Sequence, residues 1–185
     1  VCSSDLNSEG DLFRLKEMVQ TLKTIHRATN EPIILVDLNG HHQFGDSRLH
    51  QILGEMLGKN CHWHIEQYDK NPIRVLQKLA GYKAMISMRL HGNILGYLAN
   101  TPCFSLNYHS KCNGWCDVVG MPSAHRINIK EPFSDALSAQ VLKGLTDCFA
   151  PPILSPHIAV RRALTNWRFS HANHYNQIFN RYSII

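Results

Sequence analysis

The chain has 185 residues, which is enough for one hydrophobic core and a short appendage. With 44% apolar and 18% charged residues it reads as a folded globular chain, which excludes a disordered charged tail. The net charge of +5 comes from scattered basic residues, with only Arg161 and Arg162 adjacent. That pattern argues against a nucleic-acid-binding arm and favours an anionic substrate or a membrane surface as partner.

Residues 1–8 are small and polar and are read as linker or disordered segment. Leu12, Leu15, Met18, Val19, Leu22 and Ile25 recur at three and four, which predicts an amphipathic helix ended by Asn30-Glu31-Pro32. Ile33–Val36 is a continuous apolar run, as for a strand covered on both faces. A polar loop follows to Asp46, and Asp46 or Ser47 is placed to cap a helix with Leu49, Ile52, Leu53, Met56 and Leu57 inside. Cys61 to Ile65 is a short strand, with His62 and His64 alternating on one side. Asn71-Pro72 starts the next helix, and Gly81 ends it.

Ala84 to Ile86 is a buried strand, and Ser87 to Gly92 (SMRLHG) turns its end polar and basic. Asn93 to Leu98 has helical spacing up to Thr101-Pro102. Cys103 to Leu106 is another strand, ended by Asn107 to Lys111. Gly114 to Val119 is a short helix closed by Gly120. A weak strand over 126–129 and a helix over 132–150 follow. Pro151, Pro152 and Pro156 then make a break before a final polar helix over 158–182.

The alternation of helix and strand predicts an α/β, Rossmann-like parallel sheet of about five strands with helices on both faces. The organisation is a lobe over residues 9–150 and an appendage over 151–185. Both polar corners then fall at the carboxyl ends of strands, where ligands bind in open sheets. Arg89 and His91 stand on the first corner, Tyr108 and Lys111 on the second. Three basic groups and a helix N-terminus at Gly92–Asn93 suit a small, multiply charged anion.

The ordered set Ser87, Arg89, Leu90, His91, Gly92, Pro102, Tyr108 and Lys111 resembles the polysaccharide pyruvyl transferase family. The Gly114-Trp115 and Gly120-Met121-Pro122 turns fit it as well. The resemblance implies the second lobe of a glycosyltransferase-B type fold, with a first lobe across an active cleft. This chain is therefore expected to be the carboxyl-terminal lobe. It also implies transfer of pyruvate from phosphoenolpyruvate to a sugar of a cell-surface polysaccharide, or its lipid-linked precursor, as a ketal. Phosphoenolpyruvate is the donor, no cofactor or metal is expected, and the location is cytoplasmic or peripheral to the inner face of the membrane.

The resemblance assigns Arg89, His91 and Lys111 to catalysis at the donor. Arg89 offers a planar fork for carboxylate or phosphate, and His91 is of the residue type suited to proton transfer near neutral pH. Lys111, twenty residues after His91, neutralises the donor as a point charge. Arg89, Leu90, Gly92, Tyr108 and Lys111 make up the substrate-binding set, with Asn107 and Ser87 as further candidates. Taken alone, Arg89 reads as a structural ion pair, His91 as a backbone-bonded histidine and Lys111 as a solvated helix-start residue. Leu90 packs rather than reacts. The arginine with which the family holds its donor from well upstream has no counterpart that Arg14 or Arg27 can be matched to.

His109, Cys112 and Cys116 spell H-x2-C-x3-C, a zinc-like spacing without the second pair that zinc sites usually carry. The six cysteines read as reduced thiols in so core-rich a chain. Asn39, His41, His42 and Asp46 lie on an earlier strand-end loop, at the acceptor or donor or simply in solvent. Arg161, Arg162, Trp167 and Arg168 on the last helix are expected to pack against the other lobe or to meet a lipid-linked sugar or membrane surface. The alternatives are a glycosyltransferase-B lobe for a nucleotide sugar and a non-catalytic anion-binding remnant.

Overall fold

A computed structural model of the chain describes residues 9–43, 45–107 and 109–146. Its first helix, α1 (Glu9–Thr29), buries Leu15, Val19, Leu22 and Ile25. Their spacing places them on one stripe, as the periodicity predicts. Leu12, expected inside, is 48% exposed one turn from the helix start. Asn30 ends α1 at φ 56°, in the left-handed region that asparagine tolerates.

The chain then alternates. Strand β1 (Ile33–Val36), helix α2 (Ser47–Leu57) and strand β2 (Trp63–Glu66) make the first parallel pair. Helix α3 (Pro72–Leu79) leads to β3 (Met85–Ser87), α4 (Leu90–Leu98), β4 (Cys103–Asn107), α5 (Ser110–Val119) and β5 (Arg126–Asn128). Strands β3, β4 and β5 form a second parallel sheet in that order. Each strand is followed by a helical crossover, which is what makes every pairing parallel. Helix α6 (Ser134–Thr146) comes back to lie against α1.

The class is the Rossmann-like α/β arrangement that the alternation predicts, but the sheet is not continuous. It is divided into β1-β2 and β3-β4-β5. Strands β1 and β3 both line one cavity of about 430 Å³. Leu15, Met18 and Leu22 of α1 line it too. Within each sheet the chain winds away from this cavity, from β1 to β2 in one and from β3 through β4 to β5 in the other. The division falls where the winding reverses, the usual place for a ligand crevice in such sheets.

Two large apolar clusters make most of the core, beside a small one of Cys116, Val119 and Met121. One joins α1, β1 and α2 through Leu15, Val19, Leu35, Leu53 and Leu57. The other joins β4, β5 and α6 through Phe104, Leu106, Ile127, Leu137 and Val141. Met18 and Ile86 pack on both clusters, so α1 and β3 couple the two sheets. Strand β4 is the most enclosed, with Cys103, Phe104, Ser105 and Leu106 at 2% exposure or less.

Several boundaries differ from expectation. Helix α4 starts at Leu90 rather than Asn93, and α5 at Ser110 rather than Gly114. Gly92, expected on the polar corner ahead of the helix, is buried within the first turn of α4. His109 caps α5, its Nδ1 accepting the Lys111 N–H at 3.2 Å. Asp46 stands at the start of α2 without capping it through its side chain. Asn71 does cap α3, accepting from the Ile73 and Arg74 amides. Helix α6 is capped from a distance. Glu17 Oε2 of α1 accepts the Phe133 and Ser134 amides at 2.6 and 2.9 Å. The expected end of α6 over 147–150, the proline break and the last helix lie outside the described residues. No helix among the described residues is long and apolar enough to cross a membrane.

Candidate functional site

The register of β3 on β4 pairs Met85 with Cys103 and Ser87 with Ser105. Because the strands are parallel and in step, the segments after Ser87 and after Ser105 emerge at one rim. Arg89 is two residues past Ser87, and Asn107 two past Ser105. Helices α4 and α5 start there side by side and pack against each other. Thus the two corners expected to cooperate do share one edge of the sheet.

Arg89 is the residue immediately before α4, in extended conformation with φ −92° and ψ 137°. Its Nε donates to Asp46 Oδ1 at 2.8 Å, and its Nη2 pairs with the same oxygen. The other Asp46 oxygen accepts the Leu38 and Asn39 amides, each at 2.9 Å. The Asp46 side chain is 7% exposed and that of Arg89 33%. One buried carboxylate therefore clamps the loop after β1 to the guanidinium after β3. Arg89 presents its remaining edge in a fixed plane. Asp46, read from sequence as a helix cap or loop residue, is thus the positioning group for Arg89. No local signal reports a contact across 43 residues.

His91 is the second residue of α4 and is exposed. Lys111 is the second residue of α5 and is likewise exposed. The Asn93 N–H already donates to the Arg89 carbonyl at 3.0 Å. The open amides of α4 are therefore those of Leu90, His91 and Gly92, a turn earlier than predicted. Leu90 is half-buried. Gly92 is buried, and a Cβ there would lie 2.2 Å from Ser87 Oγ and 3.1 Å from Leu38 Cδ1. Its lack of a side chain lets α4 sit tightly on the ends of β1 and β3. Tyr108 lies outside the described residues.

Beneath the rim runs a line of polar side chains that sequence reasoning did not connect. Cys103 Sγ donates to Asn93 Oδ1 at 3.4 Å, and Asn93 Nδ2 to Ser105 Oγ at 2.7 Å. Ser105 Oγ donates to Asn107 Oδ1 at 2.6 Å, and Asn107 Nδ2 to Asn113 Oδ1 at 2.6 Å. Asn93 and Ser105 are fully buried, so each needs these partners. The chain fixes the start of α5 relative to α4. Ser87 adds to it, its hydroxyl donating to the Arg89 carbonyl at 3.0 Å.

A second polar group sits at the end of β1. Asp37, with its side chain fully buried, holds His50 Nδ1 at 2.5 Å through Oδ1 and Ser47 Oγ at 2.5 Å through Oδ2. His50 lines the β1–β3 cavity together with Asp46 and Arg89. Sequence reading passed over Asp37 and His50 because they lie 13 residues apart on different elements. Arg14 also lines the cavity, and it is paired with Asp11 at 2.7 Å.

Cys112 and Cys116 turn inward. Cys112 is 2% exposed, with its thiol on the Met88 carbonyl, and Cys116 is fully buried against Met121. Burial raises the Cys112 thiol above its ordinary value and pushes Cys103 up to about 12. Among the described residues no three His, Cys, Asp or Glu groups are arranged to hold a metal ion. His41 and His42 stack on each other at 4.8 Å on the exposed loop.

A family model described as polysaccharide pyruvyl transferase matches residues 7–110, more than half of the chain. Arg89, Leu90, His91, Gly92 and Tyr108 fall inside the match, and Lys111 follows its last residue. No curated protein and no solved structure matches the chain.

Proposed function

The chain belongs to the polysaccharide pyruvyl transferase family, and on that premise we propose that it carries the donor site of a ketal-forming pyruvyl transferase. The donor is phosphoenolpyruvate. The acceptor is a sugar diol of a cell-surface polysaccharide or its lipid-linked precursor. The observation that carries this reading is the shared rim: β3 and β4 run in step, and the residues after each are Arg89–Gly92 and Tyr108–Lys111.

The chemistry asks for three things. The donor carboxylate and phosphate need cations, which Arg89 and Lys111 supply. Arg89 does so from a plane fixed by Asp46 and binds two oxygens at once. The open amides of Leu90 and Gly92 add to the positive end of α4. The methylene carbon of the enol needs a proton, which His91 delivers. The adjacent carbon then becomes electrophilic and takes the two hydroxyls in turn, with phosphate leaving. No cofactor enters this scheme. In a glycosyltransferase-B arrangement a first lobe would face this rim across the cleft.

The test is a turnover assay on the full-length protein carrying this chain. Phosphoenolpyruvate and a panel of sugar diols are supplied, and phosphate and the ketal methyl group are followed by NMR. Phosphate release matched by ketal is expected. His91→Ala and Lys111→Ala are expected to lower turnover by at least about 100-fold. Turnover of a uridine or guanosine diphosphate sugar, with phosphoenolpyruvate inert, would overturn the reading.

A further inference from the structure

The reaction just proposed removes a proton from an acceptor hydroxyl, and none of Arg89, His91 and Lys111 is free for that task. His91 must begin protonated to supply the methylene. Arg89 does not deprotonate in proteins, and Lys111 serves as a charge. We infer that His50, held by Asp37, is the base that receives the acceptor proton. The inference rests on the pyruvyl transferase reading of the site.

Three observations carry it. First, Asp37 is a fully buried carboxylate whose two oxygens are both engaged, by His50 Nδ1 at 2.5 Å and Ser47 Oγ at 2.5 Å. A carboxylate on Nδ1 fixes the tautomer with the proton there and leaves Nε2 as the acceptor. It also stabilises the imidazolium formed when Nε2 takes a proton, the part an aspartate plays in catalytic triads. Second, His50 is not sealed in the core. Its side chain is 16% exposed and lines the β1–β3 cavity, whereas Asp37 stands behind it. Third, His50 stands one helical turn from Asp46, its N–H donating to the Asp46 carbonyl at 3.0 Å. Residues so spaced are neighbours on one face, and Asp46 is the residue that holds Arg89. The donor-binding guanidinium and the helix turn that carries the buttressed imidazole are thus both tied to Asp46, one to its carboxylate and the other to its backbone carbonyl.

The protons balance. His50 Nε2 takes the proton of the first hydroxyl as its oxygen bonds to the enol carbon. His91 gives its proton to the methylene, which becomes the ketal methyl. The second hydroxyl attacks and its proton restores His91. The proton on His50 leaves with the departing phosphate as the carbon–oxygen bond to phosphorus breaks.

The test uses the full-length protein, phosphoenolpyruvate and the best diol of the panel. His50→Gln keeps an N–H for Asp37 but has no basic nitrogen. It is expected to lower kcat by at least about 100-fold, while KM for phosphoenolpyruvate and the melting temperature stay near wild type. His50→Ala is expected to regain turnover in added imidazole, which a purely structural loss would not. Asp37→Asn is expected to lower kcat with the same KM split. Wild-type kcat in His50→Gln, or a low kcat in His50→Ala that imidazole leaves unmoved, overturns the inference while the family reading stands. Absence of ketal formation by the wild type with every diol overturns both.

Discussion

Single residues here are understood through partners far away in sequence. Gly92 is an example. Its identity is set by Ser87 Oγ, which an added Cβ would meet at 2.2 Å, and by Leu38. Gly92→Ala is expected to cost about 1–3 kcal/mol by overpacking. Ser87→Ala in the same chain should return part of it, a coupling that urea unfolding of the single and double variants would read. Cys103 is another case. With its thiol buried and pushed up to about 12, it stays protonated at neutral pH, and the thiolate is the reactive form. Iodoacetamide should leave Cys103 unlabelled in the folded protein and label it on unfolding. Rapid labelling of the native chain would contradict the burial of β4.

At the scale of elements, what was legible and what was not divides along a physical line. The stripe Leu15, Val19, Leu22 and Ile25 declared α1 because periodicity is local. Asn71-Pro72 declared the start of α3 for the same reason. The starts of α4 and α5 were misplaced, because a buried glycine and a capping histidine read as loop without their neighbours. Nothing local announced the cap of α6, since Glu17 lies 116 residues before the amide it accepts. Glu17→Ala should destabilise the protein by about 1.5–3 kcal/mol, the range for hydrogen bonds to a charged group. Thermal unfolding would show it, and a loss confined to a few tenths would mean that α6 finds other partners. His125, in the turn before β5, stacks on Phe104 at 4.5 Å, and burial pushes its imidazole below the ordinary 6.5. The unfolded chain then binds the proton more readily, so this group's contribution is lost as pH falls below 6.5. His125→Gln should flatten the fall in melting temperature between neutral and mildly acid pH.

For the whole molecule, the shared rim of the RLHG corner and the corner after β4 was legible, because alternating strands and helices put both at strand ends of one parallel sheet. The clamp that sets the guanidinium was not, because it is assembled by folding. Asp46 reaches Arg89 from the other sheet, and Asp37 reaches His50 from strand to helix. The division of the sheet was equally hidden, since the hydrophobic runs of β1 and β3 look alike whether or not they share a ladder. In the proposed site Arg89 and Lys111, from two successive corners, hold one small dianion. A double-mutant cycle tests it most directly: phosphoenolpyruvate affinity measured by calorimetry for the full-length protein, Arg89→Ala, Lys111→Ala and the double variant. Strong, non-additive losses are predicted, with a coupling of about 0.5–3 kcal/mol between the two positions. Losses that simply add, or affinity that neither substitution changes, would contradict it.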